Sequence, residues 1–114
     1  MDCLFCGIVG GRITSEILYE NEKWICIRDI APQARVHLLF ITKEHIASFS
    51  HISTGDGELM TQLIEGVHRV ATEMELASYR LIINSGVSAG QTIMHLHVHL
   101  LSGDELSEDL SSCG

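Results

Sequence analysis

The stretch "IMHLHVHLL", Ile93 to Leu101, puts a histidine at every second position from His95 to His99 and an apolar residue between each pair. A period of two is the signature of an extended strand, whose successive side chains point to opposite faces. His95, His97, His99 and Leu101 would then share one face, and Leu96, Val98 and Leu100 the other. The apolar row needs a core to pack against. The histidine face therefore reads as an exposed functional surface, and the fold must bury one side of this strand while leaving three titratable rings accessible on the other.

A partner for the apolar row lies upstream. Met60, Leu63, Ile64, Val67, Val70, Ala71 and Met74 recur at steps of three and four, with Glu58, Glu65, Arg69 and Glu73 elsewhere on the wheel. This predicts one long amphipathic helix over about residues 57 to 77. It is preceded by "STGDGE", which offers turn and N-cap residues. Four further β-branched or apolar runs, "EILYE", "KWICIRDI", "RVHLLFI" and "SYRLIINS", read as strands. The expected fold is α+β, a five-stranded antiparallel sheet packed with one long and one short helix. "KEHIASFSHI" is the place where a short helix is expected. At 114 residues the chain suits one domain with one core. We expect that domain over residues 1–103, followed by an acidic, Ser-rich, loosely held tail over 104–114.

Charge narrows the partners. The formal net charge is −8, and the seven Lys and Arg residues are scattered along the chain, so no basic footprint for a nucleic-acid backbone is expected. No apolar run approaches a membrane span, and "MDCLFC" lacks the pattern of a signal peptide. A cytoplasmic protein is expected. Its four cysteines, Cys3, Cys6, Cys26 and Cys113, are then thiols or metal ligands rather than disulfides. Cys26 reads as core, Cys113 falls in the tail, and His51 and His68 read as surface residues.

Three histidines on one strand face can do several things. They could be polar residues on a wet face, although Lys, Thr or Glu would serve that purpose equally. A catalytic metal held by all three is disfavoured, because positions i and i+4 of a strand stand about 13 Å apart while two nitrogens on one zinc lie within about 4 Å. What remains is an imidazole acting as nucleophile beside a second one that carries a proton, a pairing that suits a group with an unperturbed pKa of about 6.5.

Just ahead of the histidines lies "NSGVSAGQT", Asn84 to Thr92, a Gly-rich stretch between two apolar runs. Gly86 and Gly90 allow backbone angles closed to other residues, and successive N–H groups there can form an anion nest. The alternative is an ordinary hairpin turn. At the other end of the chain, "CLFC" spaces Cys3 and Cys6 to reach one metal ion. A redox dithiol would sit at a strand-to-helix junction, and no convincing helix follows in the sequence, so zinc is the better reading. Buried apolar cysteines are the plain alternative.

"HLHVHLL" resembles the His-φ-His-φ-His-φ-φ signature of the histidine triad family, where φ is apolar. "RDIAPQARVHLLFITKEHI" and "INSGVSAGQTIMHLHVHLL" are similar to the segments that family places before its helix and around its active site. The resemblance is nearest to the nucleotide-binding branch that hydrolyses purine nucleoside phosphoramidates. It implies that His97 is the nucleophile, forming a nucleotidyl-histidine that water resolves to AMP or GMP. It implies that His99 binds phosphate oxygen and moves protons, and that His37 is a fourth active-site histidine. Asn84, Gly90, Gln91 and Thr92 would surround the α-phosphate, Thr92 reaching the leaving group, and Asp29 and Ile30 would contact ribose and base. Several bacterial members hold structural zinc, and the matching ligands here are Cys3, Cys6, His45 and His95. A homodimer with an extended sheet, joined through the long helix, is implied as well. The tail "SEDLSSCG" departs from that branch in carrying no aromatic residue. A dinucleoside polyphosphate hydrolase and a zinc-stabilised, nucleotide-binding regulatory dimer are the competing readings, the first weakened by the shortage of cations.

Overall fold

Each apolar run becomes a strand wherever a partner is there to take its backbone hydrogen bonds. A computed structural model of the chain describes residues 3–103 and 106. In order it contains α1 (Leu4–Val9), β1 (Ile17–Glu20), β2 (Trp24–Arg28), β3 (Val36–Thr42), α2 (Gly57–Glu73), β4 (Arg80–Ile82) and β5 (His97–Ser102). Short 3-10 turns occur at Phe49–His51 and Val87–Ala89. The strands form one sheet in the order β1-β2-β3-β5-β4, with every neighbouring pair antiparallel.

Register sorts the side chains. Ile41 pairs with His97, Leu39 with His99 and His37 with Leu101, and directly opposed residues of an antiparallel pair share a face. Ile25 and Ile27 oppose Ile41 and Leu39 and join them. The other face carries Trp24, Cys26, Leu38, Phe40, Val98 and Leu100, packed with Leu59, Leu63, Val67 and Val70 of α2. The apolar row of the histidine strand thus does pack on the long helix, and Cys26 is core. The Trp24 indole donates to the Leu59 carbonyl at 2.8 Å, tying sheet to helix. Gly66 lies tight against the sheet: a Cβ there would stand 3.0 Å from Tyr19 Cε2 and 3.2 Å from Phe40 Cε1.

Two helix expectations need correction. α2 ends at Glu73, short of residue 77, because the chain turns left-handed at Glu75, whose φ is 56°. There Leu76 N–H donates to Ala71 O at 2.8 Å and Glu75 N–H to Thr72 O at 3.2 Å, the paired bonds of a Schellman cap made without glycine. The short helix is not in "KEHIASFSHI", where only the turn Phe49–His51 forms; it is α1, over "LFCGIV". A six-residue helix has no stability of its own. Its apolar side chains Phe5 and Ile8 hold it against Ile25, Ile27, Leu39 and Ile41 on the histidine face of the sheet.

Among the described residues no helix is long and apolar enough to cross a membrane. The tail expected over 104–114, Cys113 included, lies outside the described residues apart from Leu106.

Candidate functional site

Because α1 and its apolar side chains cover part of the sheet, the histidine face is not the exposed surface its composition suggested. His95, His97 and His99 are 0%, 5% and 4% exposed. β5 begins at His97, so His95 stands just ahead of the strand. The His97 and His99 rings, but not that of His95, line a cavity of about 390 Å³ whose lining also includes Phe5, Ile8, Asp29 and Thr92. Arg28 is the one cation among its lining residues.

Hydrogen bonds to groups with a single possible role assign the tautomers. His97 Nδ1 is 2.7 Å from the His95 carbonyl, which can only accept, so Nδ1 carries the proton and Nε2 the lone pair of the neutral ring. The His99 ring lies 5.1 Å away, centre to centre. His37 Nδ1 accepts the Gln33 N–H at 3.0 Å, which puts the proton of neutral His37 on Nε2. That atom is 2.9 Å from His99 Nδ1 and 3.3 Å from Asp29 Oδ2. His37 therefore has the partner that its sequence context did not reveal, and donation to His99 Nδ1 would place the His99 proton on Nε2. Burial pushes the His37 pKa below its ordinary value, with the Asp29 carboxylate opposing. Asp29 is itself held by the Ala31 N–H, 2.8 Å from Oδ1. Ile30 follows at the rim, 99% exposed.

The Gly-rich loop has the backbone expected of it, with φ at Gly86 of 97° and at Gly90 of 100°, but four of its N–H groups are taken up within the loop itself. The N–H groups of Ala89, Gly90 and Gln91 donate to carbonyls of Gly86 and Val87. Gly86 N–H donates to Gln91 Oε1 at 2.9 Å. The buried Gln91 amide completes the clamp by donating to Ala47 O at 2.8 Å and Ile93 O at 2.9 Å. Thr92 and Ile93 reach the cavity lining, whereas Asn84, Gly90 and Gln91 do not. Those three build the loop that presents Thr92.

Beside the cavity, Cys3, Cys6, His45 and His95 offer four ligand atoms that all lie within 4.8 Å of one another. Cys3 Sγ is 3.3 Å and Cys6 Sγ 3.6 Å from His95 Nδ1; His45 Nδ1 is 3.1 Å from Cys6 Sγ and 3.2 Å from His95 Nδ1. His95 Nε2 donates to the Thr42 carbonyl at 2.8 Å, so the lone pair of neutral His95 sits on Nδ1 and faces the cluster. Such an outer bond is how ligand imidazoles are oriented. Burial favours this neutral form, lowering the His95 pKa. A helix does follow Cys3, contrary to the sequence reading, so its absence no longer argues against a redox dithiol. The two imidazoles carry the metal reading instead. Burial and the neighbouring Cys3 also push the Cys6 thiol up, which works against a reactive dithiol and which a bound cation would reverse.

His51 and His68 are exposed, as expected. Sequence reasoning missed Leu4, Phe5, Ile8 and Ile13, all on the cavity wall. Leu4, Phe5 and Ile8 stand at helical spacing around the cysteines, a signal too short to recognise alone.

Comparison with known proteins places this arrangement. Residues 2–112 match the family model described as "Scavenger mRNA decapping enzyme C-term binding". A HIT-like protein of Chlamydia pneumoniae is 42% identical over 104 residues, covering 90% of this chain and 94% of that protein. Among solved structures, a HIT family hydrolase from Clostridium thermocellum shares 41% identity with a TM-score of 0.89, 96% of each chain being covered. A histidine triad protein from Clostridium difficile shares 32% identity with a TM-score of 0.91 over the same fractions.

Proposed function

The chain belongs to the histidine triad family, and from that premise we propose that it hydrolyses purine nucleoside 5′-phosphoramidates through a nucleotidyl-His97 intermediate. The observation that carries the reading is His97 itself, with Nδ1–H tied to the His95 carbonyl and its ring on the cavity wall beside His99 and Thr92. His97 Nε2 attacks the α-phosphorus, the P–N bond to the amine breaks, and the departing nitrogen takes a proton supplied from His99. Water then displaces His97, its proton passing back to His99, and the nucleoside monophosphate is released. His37 and Asp29 hold His99 in the tautomer that donates. Thr92 hydrogen-bonds the leaving group, and Asp29 and Ile30 meet the ribose and base. Asn84, Gly90 and Gln91 act by shaping the loop beside the phosphate. The similarity to proteins titled hydrolases supports the reaction class. The single cation of the cavity lining favours a substrate with one phosphate over a polyphosphate chain, whose charge would want more Arg and Lys.

The neighbouring cluster fits zinc: two thiolates and two neutral imidazoles at tetrahedral spacing, with an outer bond on His95. Four protein ligands leave no open position, so a bound zinc would be structural. Thiolate ligands also suit a reducing, cytoplasmic location. The unit of function we infer is a homodimer. β4 is a sheet edge, and Leu81 on it and Ile64 on α2 are 45% and 54% exposed, apolar surface that a second copy would cover. Sedimentation equilibrium giving the mass of one chain would remove the dimer.

The substrate reading is tested by incubating the protein with an adenosine phosphoramidate and, separately, with a diadenosine polyphosphate. Amine and AMP release from the first, well above turnover of the second, is the expected result. Preference for the polyphosphate replaces the reaction proposed here, and tight AMP binding with no turnover of either makes the protein a nucleotide-binding module.

A further inference from the structure

α1 touches both the donor cluster and the nucleophile, and the same few residues make both contacts. Cys3 caps the helix, its Sγ accepting the Cys6 N–H at 3.4 Å while its carbonyl accepts the Gly7 N–H at 3.0 Å. Phe5 lies between the two cysteines and is buried. Its ring meets His97 edge-on, with centroids 5.1 Å apart and planes at 77°, and meets His95 in the same manner at 5.9 Å and 81°. An edge-to-face pair is directional: it favours one tilt of the imidazole over others. The Nδ1–H bond to the His95 carbonyl fixes one edge of that ring and leaves rotation about it to be limited by what packs on the face.

From this geometry we propose that Phe5 is a positioning residue for His97, and that an ion held by Cys3, Cys6, His45 and His95 acts on the reaction through it. The proposal rests on the functional reading above, in which His97 is the nucleophile and the cluster holds a metal. Its physical basis is the shortness of α1. One and a half turns cannot persist alone, so the position of Phe5 depends on how firmly both ends of the turn are held. Cys3 and Cys6 are those ends. An ion binding both Sγ atoms fixes the turn to His45 and His95, on the far side of the cluster, and the ring between the cysteines is then held against His97. With the ion removed, α1 is held by the apolar contacts of Phe5 and its neighbours and by the weaker thiol–imidazole bonds of Cys3 and Cys6 to His95 and His45, and the nucleophile samples tilts that do not point at phosphorus.

The experiment is a double-mutant cycle joined to a measurement that needs no turnover. Phe5→Leu keeps an apolar side chain and removes the flat ring; Cys3→Ser removes one thiolate. Zinc content, kcat and KM for an adenosine phosphoramidate, and the side-chain NMR resonances of His97 are followed in wild type, both single variants and the double variant. Phe5→Leu is expected to retain zinc and to lose roughly tenfold in kcat, the change that an aromatic pair of ordinary strength represents, with KM much less affected. Cys3→Ser is expected to lose zinc and a similar factor in kcat. The double variant should lose no more than the larger single effect, since both act through one contact. In wild type, EDTA should shift the His97 resonances and Zn²⁺ restore them, while in Phe5→Leu neither should move them appreciably. Additive losses, or His97 resonances equally sensitive to EDTA in both proteins, would overturn the proposal. Chelation of wild type covers the case in which Cys3→Ser fails to fold. Failure of the underlying reading looks different: wild type that takes up no zinc, or that turns over no phosphoramidate while its His97 resonances still answer to zinc.

Discussion

His97→Ala is expected to abolish phosphoramidate hydrolysis, lowering kcat by on the order of 10⁴-fold or more, the scale seen when a covalent nucleophile is removed. Neither neighbouring histidine is placed to take over its role. His95 has Nε2 bonded to Thr42 O and Nδ1 turned to the cysteines, and His99 Nδ1 faces His37 at 2.9 Å. Each neighbour is therefore oriented for a different task. AMP binding should survive, because the walls that would hold base and ribose, Phe5, Ile8, Ile27 and Asp29, do not depend on the missing ring. Calorimetry with AMP and steady-state kinetics with an adenosine phosphoramidate separate the two effects, and mass spectrometry of the quenched wild-type reaction should show the nucleotidyl adduct on the peptide containing His97. Activity within about tenfold of wild type, or an adduct on another residue, removes His97 from the role.

The second large effect concerns the donor cluster. If the cluster holds zinc as proposed, extracting it is expected to lower the melting temperature by about 10–20 °C. A ligand present at a thousandfold its dissociation constant contributes about 4 kcal/mol, and a domain of this size loses several degrees for each of these. The four donor residues come from three separate parts of the chain: α1 with its N-cap Cys3, the segment after β3, and the approach to β5. One ion held there would therefore tie together pieces that sequence holds far apart. Binding requires thiolates and neutral imidazoles, so the stabilisation fades as pH falls and protons compete for the ligands. Calorimetric melting with and without EDTA, repeated on Cys3→Ser, checks this. The variant should melt near the chelated wild type and ignore the chelator; identical melting of loaded wild type, chelated wild type and variant would show that the cluster holds nothing of consequence.

How far these sites could be read in the sequence differs from one element to the next. The period of two in "HLHVHLL" and the three-and-four spacing of α2 announced themselves, because each residue's face follows from local geometry alone. The end of α2 was not legible: Glu75 takes the left-handed conformation without the glycine that usually marks it. α1 stayed hidden for a related reason, since six residues held by tertiary contacts carry little helical signal. In the Gly-rich loop the two glycines read correctly. That Gln91 reaches back to Ala47 depends on a segment more than forty residues away and leaves no local trace.

By itself, then, the sequence determined the alternation, the helix-facing row, the antiparallel α+β architecture and the inventory of imidazoles and thiols, all consequences of short-range periodicity and residue chemistry. Tertiary structure alone decided what each histidine meets. Pairing β3 against β5 brings His37 onto His99, α1 folds over to lay Phe5 on His97, and the approach to β5 delivers His95 to the cysteines. An imidazole's tautomer, burial and partner are set by atoms that arrive from distant parts of the chain, and those arrivals follow from packing of the whole core.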